Sequence, residues 1–438
     1  MLQPDLIIQG GTLLTMVEGE KPLRHASLLI VGDRIAGVLA PGEERPLFKG
    51  VQVLDATDCI VLPGLVNAHG HTAMTLFRGM ADDLPLKQWL FEKIFPAEAA
   101  HLNEETVYWG ALLGCLEMIA SGTTTVSDGY FYQDATARAF QRAGLRALVA
   151  QGIIDFPAPG VPDPARNLAE GKAFIERWTG ISDLIRPGLF CHSLTTCSDR
   201  TLQEAMKISL SCSLPLQLHL SETQGEAEEV LLRTANAPVA HLKALGLLSD
   251  RLIAVHAVHL GDDEMDLLAE NRVGLVHCPE SNMKLASGMA RTSEMVKKGL
   301  VLGLGTDGCA SNNNLDLFKE MDAAAKLDKV RTLNPVNLSA ETALKMATIW
   351  GARVLGLDRE IGTLEVGKKA DIITVDLRKP HLVPPYNPIS TLVYSASGAD
   401  VKDVIVNGRV LMKDRAFTGL DAEEVMARVR EISGKIRC

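Results

Sequence analysis

The sequence predicts an α/β protein: a (β/α)8 barrel of the TIM type, joined to a small β-sandwich domain formed from both chain ends. Three observations point there. Eight short apolar runs in the middle of the chain alternate with longer helical stretches. Both ends share another texture, short strands broken by turns. Residues suited to metal binding or acid–base work fall just beyond the apolar runs, where such a barrel keeps its chemistry.

The eight runs are Ile60–Val66, Thr123–Ser127, Leu145–Ile153, Ile185–Cys191, Pro215–Leu218, Leu252–Val255, Val273–Val276 and Leu300–Leu304. Strands that alternate with helices pair in parallel. Parallel strands buried on both faces are apolar without alternation, as these are. At the N-terminal end, Asp5–Ile8, Ala26–Val31, Arg34–Leu39 and Gln52–Asp55 read as strands, with Gly32-Asp33 as a hairpin turn. At the other end, Asp371–Val375 and Asp403–Val406 are strand-like, and Asn407-Gly408 is a second hairpin turn. Residues 1–59 and 366–420 are therefore assigned to the β domain and 60–365 to the barrel. Ala422–Ile436 carries apolar residues at helical spacing, so 421–438 closes the chain as a helix.

With 438 residues and a net charge of −10, the chain has no basic run of the kind phosphate recognition needs. Nucleic acid is excluded as an expected partner. No apolar stretch approaches the roughly 18–20 residues that span a bilayer, and no signal-peptide pattern opens the chain. The expectation is a cytoplasmic protein without a membrane partner. Its eight cysteines include no C-x-x-C pair and are expected to be reduced.

After the apolar runs come, in order, Asn67-Ala68-His69-Gly70-His71, Asp128, Gln151, His192, His219 with Glu222, His256, His277 and Asp307. Six of the eleven histidines stand at strand ends chosen by apolar pattern alone. His69 and His71, at i and i+2, point the same way on a strand. Joined by His219 and Asp307, they offer three imidazoles and a carboxylate to one divalent ion. That donor set suits Zn²⁺, with Fe²⁺ and Mn²⁺ as alternatives, better than Mg²⁺ or Ca²⁺.

Leu62-Pro63-Gly64-Leu65-Val66-Asn67-Ala68-His69-Gly70-His71 resembles the opening motif of the amidohydrolase superfamily. The branch it is most similar to is that of the 5′-methylthioadenosine/S-adenosylhomocysteine deaminases, close to the triazine hydrolases. His219-Leu220-Ser221-Glu222, Val255–Leu260, His277–Asn282, Gly305-Thr306-Asp307-Gly308 and Gly362–Asp371 resemble its later motifs in order. The resemblance covers nearly the whole chain and implies one metal ion per subunit. Binuclear members place a carboxylated Lys at the end of strand four, where this chain has Cys191-His192. One departure is Gly70, where many members have Thr. The resemblance also suggests a homo-oligomer.

It further implies roles. Asp307 takes the proton of the attacking water, and His256 orients the nucleophile or stabilises the intermediate. Glu222 protonates the ring nitrogen N1 and helps carry a proton to the leaving ammonia. The bland reading of Glu222 is a cap for the following helix. For His256 it is a core histidine. For His259, His277 and Asp128 structural hydrogen bonding is the preferred reading. Around a nucleoside substrate, Trp89 matches an aromatic pocket residue, Glu98 the acceptor for the ribose diol, and His192 a histidine facing purine N3. Arg166 matches one of the arginines that meet a homocysteine carboxylate, while Gln151 stands where another is expected. Losing that fork favours small 5′-substituents over S-adenosylhomocysteine. Rival readings are a hydrolase of the same fold acting on a triazine, guanine, cytosine or other cyclic amidine, and a non-catalytic scaffold. The scaffold is expected to have lost metal ligands, which this chain keeps. Whether 76–95 closes over a substrate is left open.

Overall fold

The structure is a computed structural model that describes residues 3–41 and 50–436; Cys438 lies outside the described residues. Eight parallel strand positions form the barrel: Leu65–His71, Thr123–Tyr130, Arg146–Ile153, Ile185–Ser193, Leu216–Leu220, Leu252–His256, Gly274–His277, and an eighth in two pieces. The first piece, Leu302–Leu304, pairs with the seventh strand, and the second, Asp307–Gly308, pairs with the first strand. The ring closes through this broken strand. Its strands are buried on both faces and mostly apolar, because neither face meets water; Thr123–Tyr130, rich in Thr and Ser, is the most polar of them.

Both chain ends build a second, mixed sheet of nine strands. Its centre runs Val401–Val406, Ile372–Asp376, Cys59–Pro63, Leu6–Leu13, Leu23–Val31. The sheet encloses its own apolar core, including Ile8, Leu28, Ile35, Val61 and Ile372. It curls until the two hairpin turns meet. Gly408 has φ +75°, and a Cβ there would lie 2.0 Å from the carbonyl oxygen of Gly32. Only glycine meets both demands.

One apolar run is two strands. Ile60–Val66 breaks at Gly64, where a Cβ would fall 2.1 Å from the Thr124 side chain. Cys59–Pro63 pairs antiparallel with Ile372–Asp376 in the terminal sheet, while Leu65–His71 begins the barrel. Both halves are buried, so hydrophobicity continues across the joint. The last helix, Ala422–Ser433, buries Val425, Val429 and Ile432, spaced at helical period, and its N-cap Asp421 accepts the Glu424 N–H at 3.0 Å.

A buried ion pair locks the two sheets together. Arg146, on the third barrel strand, donates to both carboxylate oxygens of Asp371, at 2.7 and 3.0 Å. Asp371 also accepts the Asn407 N–H at 2.8 Å. Removing one partner leaves an uncompensated buried charge. Arg146→Ala is expected to destabilise the protein by about 3–5 kcal/mol in denaturant unfolding. An unchanged unfolding midpoint would contradict this account of the joint.

Candidate active site and metal centre

The first barrel strand carries His69 and His71 to its C-terminal end with both rings on the inner side. Each ring is fixed through Nδ1. His69 Nδ1 bonds Gln217 Oε1 at 3.2 Å, and His71 Nδ1–H donates to the carbonyl of Gly129. Those partners leave the Nε2 lone pairs directed at a common centre. His69 Nε2 stands 3.2 Å from His219 Nε2 and 3.6 Å from Asp307 Oδ1, and His71 Nε2 stands 3.1 Å from Asp307 Oδ1. The four ligand atoms all lie within 4.8 Å of one another. Bonds of about 2.1 Å around a tetrahedral ion put neighbouring ligand atoms about 3.4 Å apart. The donor set and its spacing therefore fit one divalent cation.

The other Asp307 oxygen is held from behind. Oδ2 accepts from Ser281 Oγ at 2.7 Å and Ser311 Oγ at 2.6 Å, which turns Oδ1 to the imidazoles. Burial alone would raise the Asp307 pKa, but hydrogen bonds from His69 and His71 outweigh it and hold the carboxyl well below its usual range. Burial lowers His69 to about 4 and, with His256 beside it, lowers His219. For His71 burial opposes charge, but the contact with Asp307 wins and raises the pKa. Left-handed backbone at four non-glycine residues aims this end of the barrel: Ser221 (φ +48°), His256 (+70°), Ala257 (+49°) and Asp307 (+58°). Such residues cost about 1–3 kcal/mol each and cluster where function requires them.

Glu222 and His256 face the ligands from one side. Glu222 Oε2 is 3.7 Å from His256 Nε2, and Glu222 Oε1 accepts from Ser287 Oγ at 3.1 Å. His256 is oriented by Asn282 Oδ1, 2.9 Å from its Nδ1. Burial raises the Glu222 pKa, with the nearby His256 acting against it. Glu222 does not cap the following helix; Thr223 does, accepting the Glu226 N–H at 3.2 Å.

His71, His219, Asp307, Glu222 and His256 open into one cavity. Trp89, Glu98 and His192 line it too, with Phe95, Tyr130 and Phe190. Trp89–Ile94 is a π-helical turn, a form that recurs at functional sites, and it walls the cavity with Leu86 and Lys87. Burial lowers His192 to about 3, so its ring is neutral near pH 7. Burial also pushes Glu98 up to about 7, against a hydrogen bond from Tyr130. The Tyr130 hydroxyl donates to Glu98 Oε1 at 2.5 Å, leaving Oε2 for the cavity. Tyr130→Phe is expected to raise KM several-fold with little change in kcat, because it frees a carboxylate that must be oriented for binding. A fall in kcat at constant KM would contradict this.

Gln151 and Arg166 do not line the cavity. Gln151 Nε2 reaches only the Gly152 carbonyl at 3.5 Å, and Arg166 pairs on the surface with Glu170 at 2.5 Å. Among the described residues, Lys87 is the one Lys or Arg in the wall, and it is paired with Glu229 at 2.8 Å. Asp128 is structural, accepting from Gln133 Nε2 at 2.8 Å and from the Thr72 N–H. His259 Nε2 donates to the Ser287 carbonyl at 2.6 Å. His277 Nδ1 is buried without a hydrogen-bond partner. At Gly70, a Cβ would meet nothing closer than the Asp307 carbonyl oxygen at 3.5 Å, so the position has room for a β-carbon. Sequence reasoning missed Gln217, Tyr130, Asn282, Ser287 and Glu226. Strand alternation was a signal for Gln217, two before His219, and for Tyr130, two beyond Asp128; the others are set by tertiary contacts.

A closed parallel barrel with three histidines and an aspartate at its strand ends defines a class of metal-dependent hydrolase, and the amidohydrolase family model matches residues 60–411. The chain belongs to the amidohydrolase family. It is 47% identical over 433 residues, covering 99% of this chain and 98% of its relative, to 5-methylthioadenosine/S-adenosylhomocysteine deaminase 1 of Syntrophus aciditrophicus. It is 45% identical over 439 residues, 98% of each chain, to 5′-deoxyadenosine deaminase of Methanothermobacter thermautotrophicus. A crystal structure of an adenosine deaminase from Xanthomonas campestris with bound zinc superposes with a TM-score of 0.96 at 37% identity, over 99% of both chains.

Proposed function

We propose that this protein is a hydrolytic deaminase of 5′-modified adenosines, with zinc at His69, His71, His219 and Asp307. Its substrates are 5′-methylthioadenosine and its smaller analogues, with S-adenosylhomocysteine less favoured; its products are the inosine form and ammonia. The observation that carries this reading is that a buried acid, Glu222, stands beside the four-ligand centre in one cavity that also holds Trp89, Glu98 and His192. The relatives' names support the adenosine substrate. We place the catalytic unit in the barrel, which begins at Leu65, and the protein in the cytoplasm. Among the described residues no helix is long and apolar enough to cross a membrane, and the seven described cysteines are free.

The reaction exchanges the C6 amine for oxygen: substrate and water give the C6 carbonyl and NH3. A divalent ion at this centre supplies Lewis acidity that brings the pKa of water towards neutrality. Asp307 accepts the proton of the attacking water, and His256, anchored on Asn282, orients it through Nε2. Glu222, whose pKa burial raises, gives its proton to N1 and so makes C6 electrophilic. The proton held by Asp307 joins the amine as the C6–N bond breaks and ammonia leaves, and the C6 hydroxyl gives its remaining proton to Glu222 as the carbonyl forms, which restores the acid. His192 faces N3, Trp89 packs on the purine, and Glu98 Oε2 takes a ribose hydroxyl.

The preference for a small 5′-group follows from the wall. Neither Gln151 nor Arg166 reaches the cavity, and Lys87 has the Glu229 carboxylate of the same wall 2.8 Å away. A carboxylated tail therefore lacks a charge-assisted hydrogen bond, worth about 1.5–3 kcal/mol. Comparing kcat/KM for 5′-methylthioadenosine, 5′-deoxyadenosine, adenosine and S-adenosylhomocysteine tests this. The first should exceed the last by about tenfold or more. Comparable values would reject the tail preference, and no ammonia from any of them would reject the deaminase.

A further inference from the structure

We propose that Glu226 is a positioning residue for the proton-donating Glu222, holding it by the backbone. This rests on the role of Glu222 set out above. The chain leaves the fifth barrel strand through Ser221, whose φ of +48° bends the corner that carries Glu222. Backbone of this kind does not hold itself, since a β-carbon disfavours it. Glu226 lies in the first turn of the next helix, Gln224–Thr234, and its side chain reaches back along the chain. Its Oε2 accepts the Glu222 N–H at 2.9 Å. An acid at this helical position ordinarily returns to the N-cap amide. Here the N-cap is Thr223, and Glu226 takes the amide one residue earlier, on Glu222 itself.

The second oxygen shows that the group is not placed for helix capping alone. Glu226 Oε1 is buried with no hydrogen-bond partner, and the residue lines the same cavity as Glu222, His256 and Asp307. A buried carboxyl left half satisfied is costly. Burial pushes it up to about 7, so its carboxyl is part neutral near pH 7. A neutral amide keeps the accepting oxygen and mimics that state. Ser287 fixes the Glu222 carboxyl from the far side through Oε1. Glu222 is thus gripped at both ends, by Ser287 at the side chain and by Glu226 at the main chain.

Misplacing a reacting group by about 1 Å costs up to about a hundredfold in rate. Glu226→Ala should lower kcat for 5′-methylthioadenosine about tenfold or more, with KM within about twofold and bound metal unchanged. Glu226→Gln should keep kcat within about threefold, because its side-chain oxygen still accepts the Glu222 N–H. Hydrogen exchange at the Glu222 amide should rise in the alanine variant and stay slow in the glutamine variant, whether or not the protein turns over an adenosine. The proposal is overturned if Glu226→Ala keeps wild-type kcat and slow exchange. It is equally overturned if Glu226→Gln loses as much rate as alanine while its exchange stays slow, which would make the carboxyl's proton, not its acceptor, the active property. Absence of turnover by the wild type would strike the deaminase reading instead, leaving the exchange measurement to decide this one.

Discussion

Glu222→Gln is expected to lower kcat on 5′-methylthioadenosine by about a hundredfold to ten-thousandfold, the usual worth of a positioned general acid. Glutamine fills the same volume and keeps the oxygen that accepts from Ser287, so fold and metal content should be unchanged. What it lacks is a transferable proton. Burial raises the Glu222 pKa from its ordinary value, and His256 only partly offsets this. The acid form therefore survives to higher pH than in an exposed glutamate. Activity that needs that form is present below the folded-state pKa and falls as pH rises through it. A pH–rate profile of the wild type should show this alkaline limb, and the variant's residual rate should lack it. A variant that keeps wild-type kcat would show that N1 is protonated by another group.

Removal of the metal should have a larger effect. Chelation, or His219→Ala, is expected to take activity below about one ten-thousandth of wild type, because no other group in the cavity makes water nucleophilic at neutral pH. Zinc added back should restore the chelated wild type but not the variant, which retains three of the four ligands. Stability should follow. The ion binds the folded ligand cluster, so loss of a ligand present at a hundred times its Kd withdraws about 2.7 kcal/mol. The chelated protein should melt at a lower temperature, and metal analysis should find one ion per subunit in the wild type. Full activity in metal-free protein, or two ions per subunit, would contradict the mononuclear centre.

Much of this was legible in the chain. Barrel strands are buried on both faces, so six of the eight runs are seen within about two residues of their true ends, as with Leu145–Ile153 against Arg146–Ile153, while Thr123–Ser127 stops short of the polar end of Thr123–Tyr130. Ile60–Val66 hid a joint because Val61 belongs to one core and Leu65 to another, and hydrophobicity does not say which. The eighth strand was legible in position but not in form; its break before Asp307 is a matter of backbone path. His69, His71, His219 and Asp307 came from their places at strand ends. Trp89 and Glu98 came only from family resemblance, since nothing in their neighbourhoods marks a pocket wall; His192 was marked by its strand end, and only its role came from the resemblance. Ser287 lies 65 residues from Glu222, and Asn282 lies 26 from His256. No periodicity reports contacts at that separation. Arg166 resembles a tail-binding arginine by motif, yet a four-residue helical spacing gives it Glu170 instead.

The most direct test of the central claim is to mix zinc-loaded wild-type protein with 5′-methylthioadenosine and to measure the loss of the adenine chromophore together with released ammonia. The account predicts one ammonia for each inosine form produced, over many turnovers. An unchanged adenine spectrum from protein shown to hold its metal would contradict it, leaving the barrel and the metal centre in place but without an adenosine as their substrate.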